Sequence, residues 1–207
     1  MLRYKILIEY VGTNFIGWQI QSKGKSIQKL IQAKISKLLK EKVSVVGSGR
    51  TDSGVHAIEQ SAHFDCKKEI QNPDKFLRSI NHFVNARGIS IVHIKKKNMS
   101  FHARFSAKQR VYKYIIFNRL SRPSIEKQRG WHIIKELDIS LMKKGAKKLL
   151  GTKDFSTFRS SSCNAKSPIR TMKSIKIKSI KGRIEIQFKS QSFLQQQVRS
   201  MVGCLKY

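Results

Sequence analysis

The sequence predicts an α+β protein built of two units, each with a mainly antiparallel sheet. Segments in which every second residue is apolar, typical of strands, alternate with segments whose apolar residues recur at helical spacing. Several neighbouring strands are joined by short connections that suit hairpins, which favours antiparallel sheets over a doubly wound sheet. Because the second half loosely repeats the order of elements in the first, we divide the chain into residues 1–105 and 106–207.

The predicted first unit begins with a strand over Leu2–Tyr10, where apolar and aromatic residues alternate with polar ones. Ser26 is a typical helix N-cap, and apolar residues follow it at helical spacing. Asn72 and the proline after it suit the cap and first residue of a second helix. The other predicted strands of this unit are Val43–Val46, Ile58–Phe64 and Ile89–Ile94.

The predicted second unit begins with a strand over Arg110–Phe117, which has aromatic and apolar residues on one face. Asp138 is expected to cap a helix that ends at Gly151, since glycine commonly terminates helices. Lys173–Lys189 has the pattern of two strands joined by a Lys-Gly turn. A last helix is predicted over Phe193–Leu205.

The charge of the chain is strongly one-sided. It has 43 lysines and arginines against 12 aspartates and glutamates, a net charge of +31. The excess is spread along the whole chain, and a positive field of this size favours a polyanionic partner such as nucleic acid. The alternative is that many of these lysines form solvated surfaces without a specific ligand.

The cysteines indicate neither a disulfide framework nor a zinc site. Cys66, Cys163 and Cys204 are odd in number, widely spaced and without a C-x-x-C pair. The first ten residues resemble a strand rather than a secretion signal, and no apolar run approaches membrane-spanning length. The sequence therefore predicts a soluble, cytoplasmic protein.

The most informative stretch is "GSGRTDSGVHA", which places Asp52 two residues after Arg50 on a glycine-rich corner. It begins like a dinucleotide-binding motif, but an acid replaces the third glycine and would repel a pyrophosphate. The Lys-Ser or Lys-Thr pair of a P-loop is absent. Asp-Ser-Gly also occurs in aspartic proteases, which need two such carboxylates. The H-x-E and P-C-x-x-C motifs of zinc base deaminases are absent as well.

Two interpretations of Asp52 follow from the residues. The side chain can merely cap or shape its loop, as aspartate often does. Alternatively, an ionised carboxylate beside a guanidinium group can act as a nucleophile or base, with Arg50 or Arg199 as the guanidinium. If the partner is RNA, such chemistry would act on the base or sugar of a flipped-out nucleotide.

Three other segments are candidates for contact with RNA. Tyr112, in "RVYKYIIF", is a candidate stacking platform for a flipped base, or one more core aromatic. The "FHARF" stretch over Phe101–Phe105 interleaves aromatic and basic side chains. The polar run 160–166 offers hydroxyl groups and Lys166 to phosphates. The six histidines show no metal spacing, and those predicted to be structural or RNA-facing are His56, His63 and His132.

Six segments, in order and with similar spacings, resemble motifs of the tRNA pseudouridine synthase A family: "YVGTNFIGWQIQ", "SIQKLIQAKI", "GRTDSGVHA", "FHARFSAKQRVYKYIIFN", "LLGTKDFSTFRSS" and "FLQQQVRSMVG". The resemblance runs from Tyr10 to the end of the chain. Three features differ from the family pattern. The segment "NHFVNARGIS" lacks a Leu-Pro and an Asp, Gln197 stands where Met is usual, and the second unit is expected to be shortened at its C-terminus.

The resemblance implies a pseudouridine synthase fold, in which two α+β domains flank a basic catalytic cleft. It implies a homodimer, without cofactor or metal, that isomerises uridine at nucleotides 38, 39 and 40 of the tRNA anticodon stem-loop. By position, Asp52 resembles the catalytic aspartate and Arg199 the arginine that pairs with it; with Arg50 they form the expected catalytic set. Tyr112 resembles the tyrosine that stacks on the uridine. The expected tRNA contacts are Phe101, His102, Ala103, Arg104, Phe105, Ser162, Cys163, Asn164, Ala165 and Lys166. The alternative is an RNA-binding module without catalysis.

Overall fold

The computed structural model describes residues 1–206, whose contacts divide the chain into two compact units, Met1–Ala107 and a second from Lys108 onward. Each unit holds one mainly antiparallel sheet and two α-helices, which confirms the predicted α+β class. Among the described residues, no helix has both the length and the apolar character needed to cross a bilayer.

The first unit contains a four-stranded antiparallel sheet in the order β2-β3-β1-β4. Its strands are β1 (Leu2–Tyr10), β2 (Val45–Gly47), β3 (Ala57–Cys66) and β4 (Ile89–Lys97). Its helices are α1 (Ile27–Leu39) and α2 (Pro73–Val84). The side chains of Ser26 and Asn72 cap these helices by accepting the N–H groups of Lys29 and Lys75, as their positions predicted.

The helices of this unit cover one face of the sheet. Tyr4, Ile6 and Ile8 alternate along β1 and are buried in one apolar core with residues of both helices, such as Ile31 and Ile80. This is the period of two expected for a strand with one buried face. The other face of the sheet carries mainly polar side chains, among them Arg3 and Lys5 of β1.

The second unit contains a five-stranded sheet in the order β6-β5-β9-β8-β7. Its strands are β5 (Arg110–Asn118), β6 (Trp131–Ile133), β7 (Gly151–Asp154), β8 (Ile169–Ile180) and β9 (Arg183–Ser190). The β5–β6 pair is parallel, and the other pairs are antiparallel. The helices α3 (Ile139–Lys148) and α4 (Gln197–Leu205) share a second core with the sheet, separate from that of the first unit.

Two predicted helix boundaries in the second unit are wrong. Gly151 does not end α3, because the chain tightens after the helix and the glycine, at a φ of +90°, begins β7. The last helix begins at Gln197 rather than Phe193. Gln196 has a φ of +60°, and the Gln197 side chain accepts the N–H of Leu194 at 2.8 Å, so a turn precedes the helix. The sequence also missed β6 and β7, which are too short to show an alternating pattern.

Candidate active site

Asp52 lies in the loop that connects β2 to β3. Its backbone carbonyl accepts a hydrogen bond from the N–H of Val55 at 3.2 Å, which closes the turn. The carbonyl of the preceding Thr51 accepts the N–H of Trp18 at 3.0 Å. The backbone of Asp52, rather than its carboxylate, makes the hydrogen bond that closes the turn.

The supporting segment from Tyr10 to Trp18, at the end of β1 and before α1, forms several hydrogen bonds with this loop. The hydroxyl groups of Tyr10 and Thr51 are hydrogen-bonded at 2.8 Å. The carbonyl of Phe15 accepts the hydroxyl of Ser53 at 3.2 Å and the N–H of Gly54 at 3.4 Å. Sequence reasoning gave this segment no role in the site. The available signal was a run of aromatic residues and glycines with neither strand nor helix periodicity.

Two glycines allow the supporting segment and the loop to approach each other closely. A Cβ atom on Gly12 would lie 2.0 Å from the carbonyl oxygen of Val55. One on Gly17, whose φ is +112°, would lie 2.5 Å from the carbonyl oxygen of Thr51. Since both neighbours are backbone atoms, neither position can hold a side chain without displacement of the loop that carries Asp52.

The carboxylate on this loop is half-buried, and Arg50 beside it is exposed. Trp18 is only 1% exposed and packs in the core beneath the supporting segment. A half-buried carboxylate on a loop held by backbone hydrogen bonds has little freedom to move and remains accessible to a ligand. These are the properties that a nucleophile or base requires.

Tyr112 and Arg199 lie in the second unit. Tyr112, on β5, is half-buried at the margin of the core, and its ring meets that of Phe193 edge-on at 5.0 Å. Arg199 is exposed in the first turn of α4. Burial raises the pKa of Tyr114, two residues after Tyr112, although the positive charge of Arg199 opposes that shift. Tyr114 on β5 and the positive charge of Arg199 therefore lie in one region of this unit.

The predicted RNA-contacting stretch after β4 is an ordered series of turns. Ala103 is 2% exposed, whereas Arg104 and Phe105 point into solvent, with Phe105 78% exposed. The rings of His102 and Phe105 stack with their centres 4.4 Å apart. The Arg104 guanidinium lies 5.7 Å from the centre of the Phe105 ring. An exposed aromatic ring beside a cation is suited to stacking on a base and pairing with a phosphate.

The second predicted contact, Ser162–Lys166, is a loop of the second unit in which exposed and partly buried residues alternate. Ser162, Asn164 and Lys166 are exposed, whereas Cys163 and Ala165 pack against the core. Desolvation acts to raise the pKa of Cys163, but hydrogen bonds from backbone N–H groups and nearby arginines outweigh it and lower that pKa. All three cysteines of the chain are free thiols.

Each of the three singled-out histidines makes a structural hydrogen bond. Nδ1 of His56 accepts the N–H of Gly12 at 3.1 Å, and Nδ1 of His63 accepts that of Ala103 at 3.1 Å. His132 Nε2 lies 2.8 Å from the carbonyl oxygen of Arg119, in the segment that follows β5. Within residues 1–206, no group of three potential ligand side chains is arranged to hold a metal ion.

Comparison with known proteins gives a consistent family. A model of the family described as "tRNA pseudouridine synthase" matches residues 6–106 and 146–207. Asp52, Arg199 and the two predicted RNA-contacting segments lie within the matched residues. Tyr112 lies between them, so the family model does not bear on that residue.

Three relatives, each named tRNA pseudouridine synthase A, align with 99–100% of the chain. The protein of Pelagibacter ubique is 80% identical over 207 residues, which cover 100% of this chain and 84% of the relative. That of Parvibaculum lavamentivorans is 40% identical over 206 residues, covering 100% of this chain and 83% of the relative. That of Ehrlichia ruminantium is 42% identical over 206 residues, covering 99% and 83%. The chain therefore belongs to the tRNA pseudouridine synthase family, a family of isomerases.

Proposed function

We propose that the chain isomerises uridine to pseudouridine at nucleotides 38, 39 and 40 of the tRNA anticodon stem-loop, with Asp52 as the nucleophile. The observation that carries the proposal is the loop at Asp52, which backbone hydrogen bonds and the segment from Tyr10 to Trp18 hold in place. The names of the relatives support tRNA as the substrate. The motif resemblance supports the three target positions.

The proposed reaction leaves the composition of the nucleotide unchanged. The C1′–N1 bond breaks, the uracil turns, C1′ bonds to C5, and the C5 proton is exchanged for one at N1. A carboxylate can assist by adding to the sugar or to the base and leaving again when the new bond has formed. Because the isomerisation exchanges no electrons with another molecule, the proposal includes no cofactor or metal.

The other proposed roles are inferred from the family resemblance and from the surroundings of each residue within its unit. Tyr112, half-buried with its ring at the margin of the core, stacks on the flipped uridine. Arg199 is the arginine that pairs with Asp52, as the family resemblance implies, and Arg50 is the local candidate for the same guanidinium role. Residues 101–105 and Ser162–Lys166 bind tRNA. The active form is a homodimer, as the family resemblance implies.

The proposal is tested by Asp52→Asn, which preserves the shape of the side chain and removes its charge and most of its nucleophilicity. Tritium release from tRNA labelled at C5 of uridine should fall by at least about 10⁴-fold. Binding of tRNA should stay within a few-fold, because the carboxylate contributes chemistry rather than affinity. Mapping of pseudouridine in the treated tRNA identifies the modified positions.

The matched control is Asp74→Asn, the same change at an exposed position in the first turn of α2. This variant should release tritium at the wild-type rate. Equal rates for Asp52→Asn and the wild type would rule out the nucleophile. A wild-type protein that binds tRNA but releases no tritium would instead indicate a binding module, and pseudouridine at other positions would overturn the proposed target.

A further inference from the structure

The first unit contains a cluster of three polar side chains to which the proposed chemistry gives no role. We call Arg3, His63 and Asp65 the anchor cluster. In the strand register, Arg3 of β1 lies opposite Asp65 of β3. All three alternate with buried core residues along their strands, so they lie on the sheet face that the helices do not cover.

The side chain of Arg3 binds backbone carbonyl groups of the segment that follows β4. Its Nε and Nη2 atoms donate to the two carboxylate oxygens of Asp65, each at 2.7 Å. Its remaining terminal nitrogen, Nη1, donates to the carbonyls of Met99 at 2.8 Å and Phe101 at 2.7 Å. A bidentate pair fixes the plane of the guanidinium group, so Asp65 aims the third nitrogen at the two carbonyls. The side chain of Arg3 is only 14% exposed.

His63 binds the backbone of the same segment at Ala103, two residues after Phe101. The residue is 3% exposed, and its Nδ1 atom accepts the backbone N–H of Ala103 at 3.1 Å. Its ring meets the edges of the Phe101 and His102 rings at 6.1 Å and 4.8 Å. A ring nitrogen can accept a hydrogen bond only when it carries no proton, so this contact needs the neutral imidazole.

The residues that follow are oriented by these contacts. The Nδ1 atom of His102 accepts the N–H groups of Arg104 at 3.2 Å and Phe105 at 3.4 Å. The stacked rings of His102 and Phe105 and the adjacent guanidinium therefore form one exposed platform. Its starting point is the backbone from Met99 to Ala103, which the anchor cluster holds at three atoms.

We propose that Arg3, His63 and Asp65 are positioning residues for tRNA binding, which hold residues 99–103 so that Arg104 and Phe105 face the RNA. The inference rests on the proposed RNA contact of residues 101–105. None of the three side chains needs to touch RNA for this role. A merely structural cluster would instead lower stability and leave the affinity of the folded protein for tRNA unchanged.

The direct test compares Arg3→Met with Lys5→Met. The two positions lie on the same strand and face, and each substitution removes one positive charge. We expect Arg3→Met to weaken tRNA binding about tenfold, the scale of a lost charged hydrogen bond. We also expect faster hydrogen exchange at residues 98–106. Lys5→Met should leave exchange there unchanged and weaken binding by no more than a lost surface charge does. Equal behaviour of the two variants would overturn the proposal.

A double-mutant cycle with Arg104→Ala separates this proposal from the one on which it rests. If Arg3 acts through the platform, Arg3→Met should cost little additional affinity in the Arg104→Ala background. Additive losses would overturn the anchoring role while leaving the RNA contact intact. Unchanged affinity of Arg104→Ala alone would overturn the RNA contact, and the anchoring role with it.

If Arg3→Met does not fold, His63 provides the same test. The Oδ1 atom of asparagine can replace an accepting Nδ1, so His63→Asn should keep tRNA affinity within a few-fold of the wild type. His63→Leu removes the acceptor and should bind about tenfold more weakly. Equal affinities of the two variants, measured on folded protein, would overturn the role of this hydrogen bond.

Discussion

The imidazole of His63 is a neutral group in a strongly basic protein. Its pKa is lowered to about 4, chiefly by burial and in part by Arg3 and His102, whereas Asp65 acts in the opposite direction. Lys5, opposite His63 on β1, adds to the surrounding positive charge. The neutral ring is the form that accepts the N–H of Ala103, so the environment and the hydrogen bond require the same protonation state.

We therefore predict a loss of stability in mild acid. Since the pKa of His63 is lower in the folded protein than the usual value of about 6.5, the unfolded chain binds the proton more readily. The stabilisation by the neutral His63 side chain is complete well above pH 6.5 and declines as the pH drops toward 4. At pH 5 the free energy of unfolding should be lower by about 2 kcal/mol. Urea unfolding at pH 7.5 and pH 5 measures it.

The control for this prediction is His63→Asn, which has no titrating group at the site. Its free energy of unfolding should change less between the two pH values than that of the wild type. Asp65 does not confound the comparison, because the hydrogen bond from Arg3 keeps the pKa of that carboxyl below its usual range. An identical loss in both proteins would assign the acid sensitivity to other groups.

At Tyr112, two substitutions separate the ring from the hydroxyl. Tyr112→Phe keeps the stacking surface, whereas Tyr112→Ala removes it and should weaken binding of the flipped base by about 1–3 kcal/mol. KM and kcat for both variants measure the difference, with thermal unfolding as the control. If Tyr112→Ala fails to fold, the residue belongs to the core rather than to the site.

At the scale of elements, the loop 48–56 depends on a segment far away in the sequence. The loop alone contains enough glycine and serine to adopt many conformations. Hydrogen bonds from Trp18 and to Phe15 select one of them, and the close approach at Gly12 leaves no room for adjustment. The position of the Asp52 carboxylate is thus a property of two segments packed together.

This packing predicts that Gly12→Ala impairs catalysis more than it impairs tRNA binding. The added Cβ would lie 2.0 Å from a backbone oxygen, so the loop must shift by about 1 Å or more to relieve the clash. A displacement of that size commonly costs about 10²-fold in rate. The matched control is Gly203→Ala in α4, where nothing lies within 4 Å of the added atom. Similar tritium-release rates for the two variants would contradict the prediction.

At the scale of the whole molecule, we expect the net charge of +31 to dominate the affinity for tRNA. If tRNA binds through phosphate contacts, the logarithm of the affinity should fall linearly with that of the salt concentration, with a slope of several units. Arg104→Ala and Lys166→Ala should each reduce the slope by about one. Filter binding across a salt series measures this, and a salt-independent affinity would exclude a binding mode based on phosphate contacts.

The sequence by itself determined the fold class and most elements of the first unit. Alternation along Leu2–Tyr10 and the caps at Ser26 and Asn72 are local signals, because strand faces and helix starts depend on nearby residues. The motif around Asp52 is also a local signal, because an acid in place of the third glycine excludes a dinucleotide-binding loop. The short strands β6 and β7 escaped prediction because three or four residues carry too little pattern.

Only the tertiary structure decided which residues support the site. Strand pairing brings Arg3 to Asp65, which is 62 residues away in the sequence, and aims it at carbonyls almost a hundred residues from it. Pairing of this kind depends on the register of the sheet, which no local pattern specifies. The start of α4 was misjudged because a buried polar side chain, and not the apolar spacing, decides where the helix begins. The side chain of Gln197, buried against the core, bonds back to Leu194 and shapes the turn before the helix, whereas the apolar spacing alone continues to Phe193.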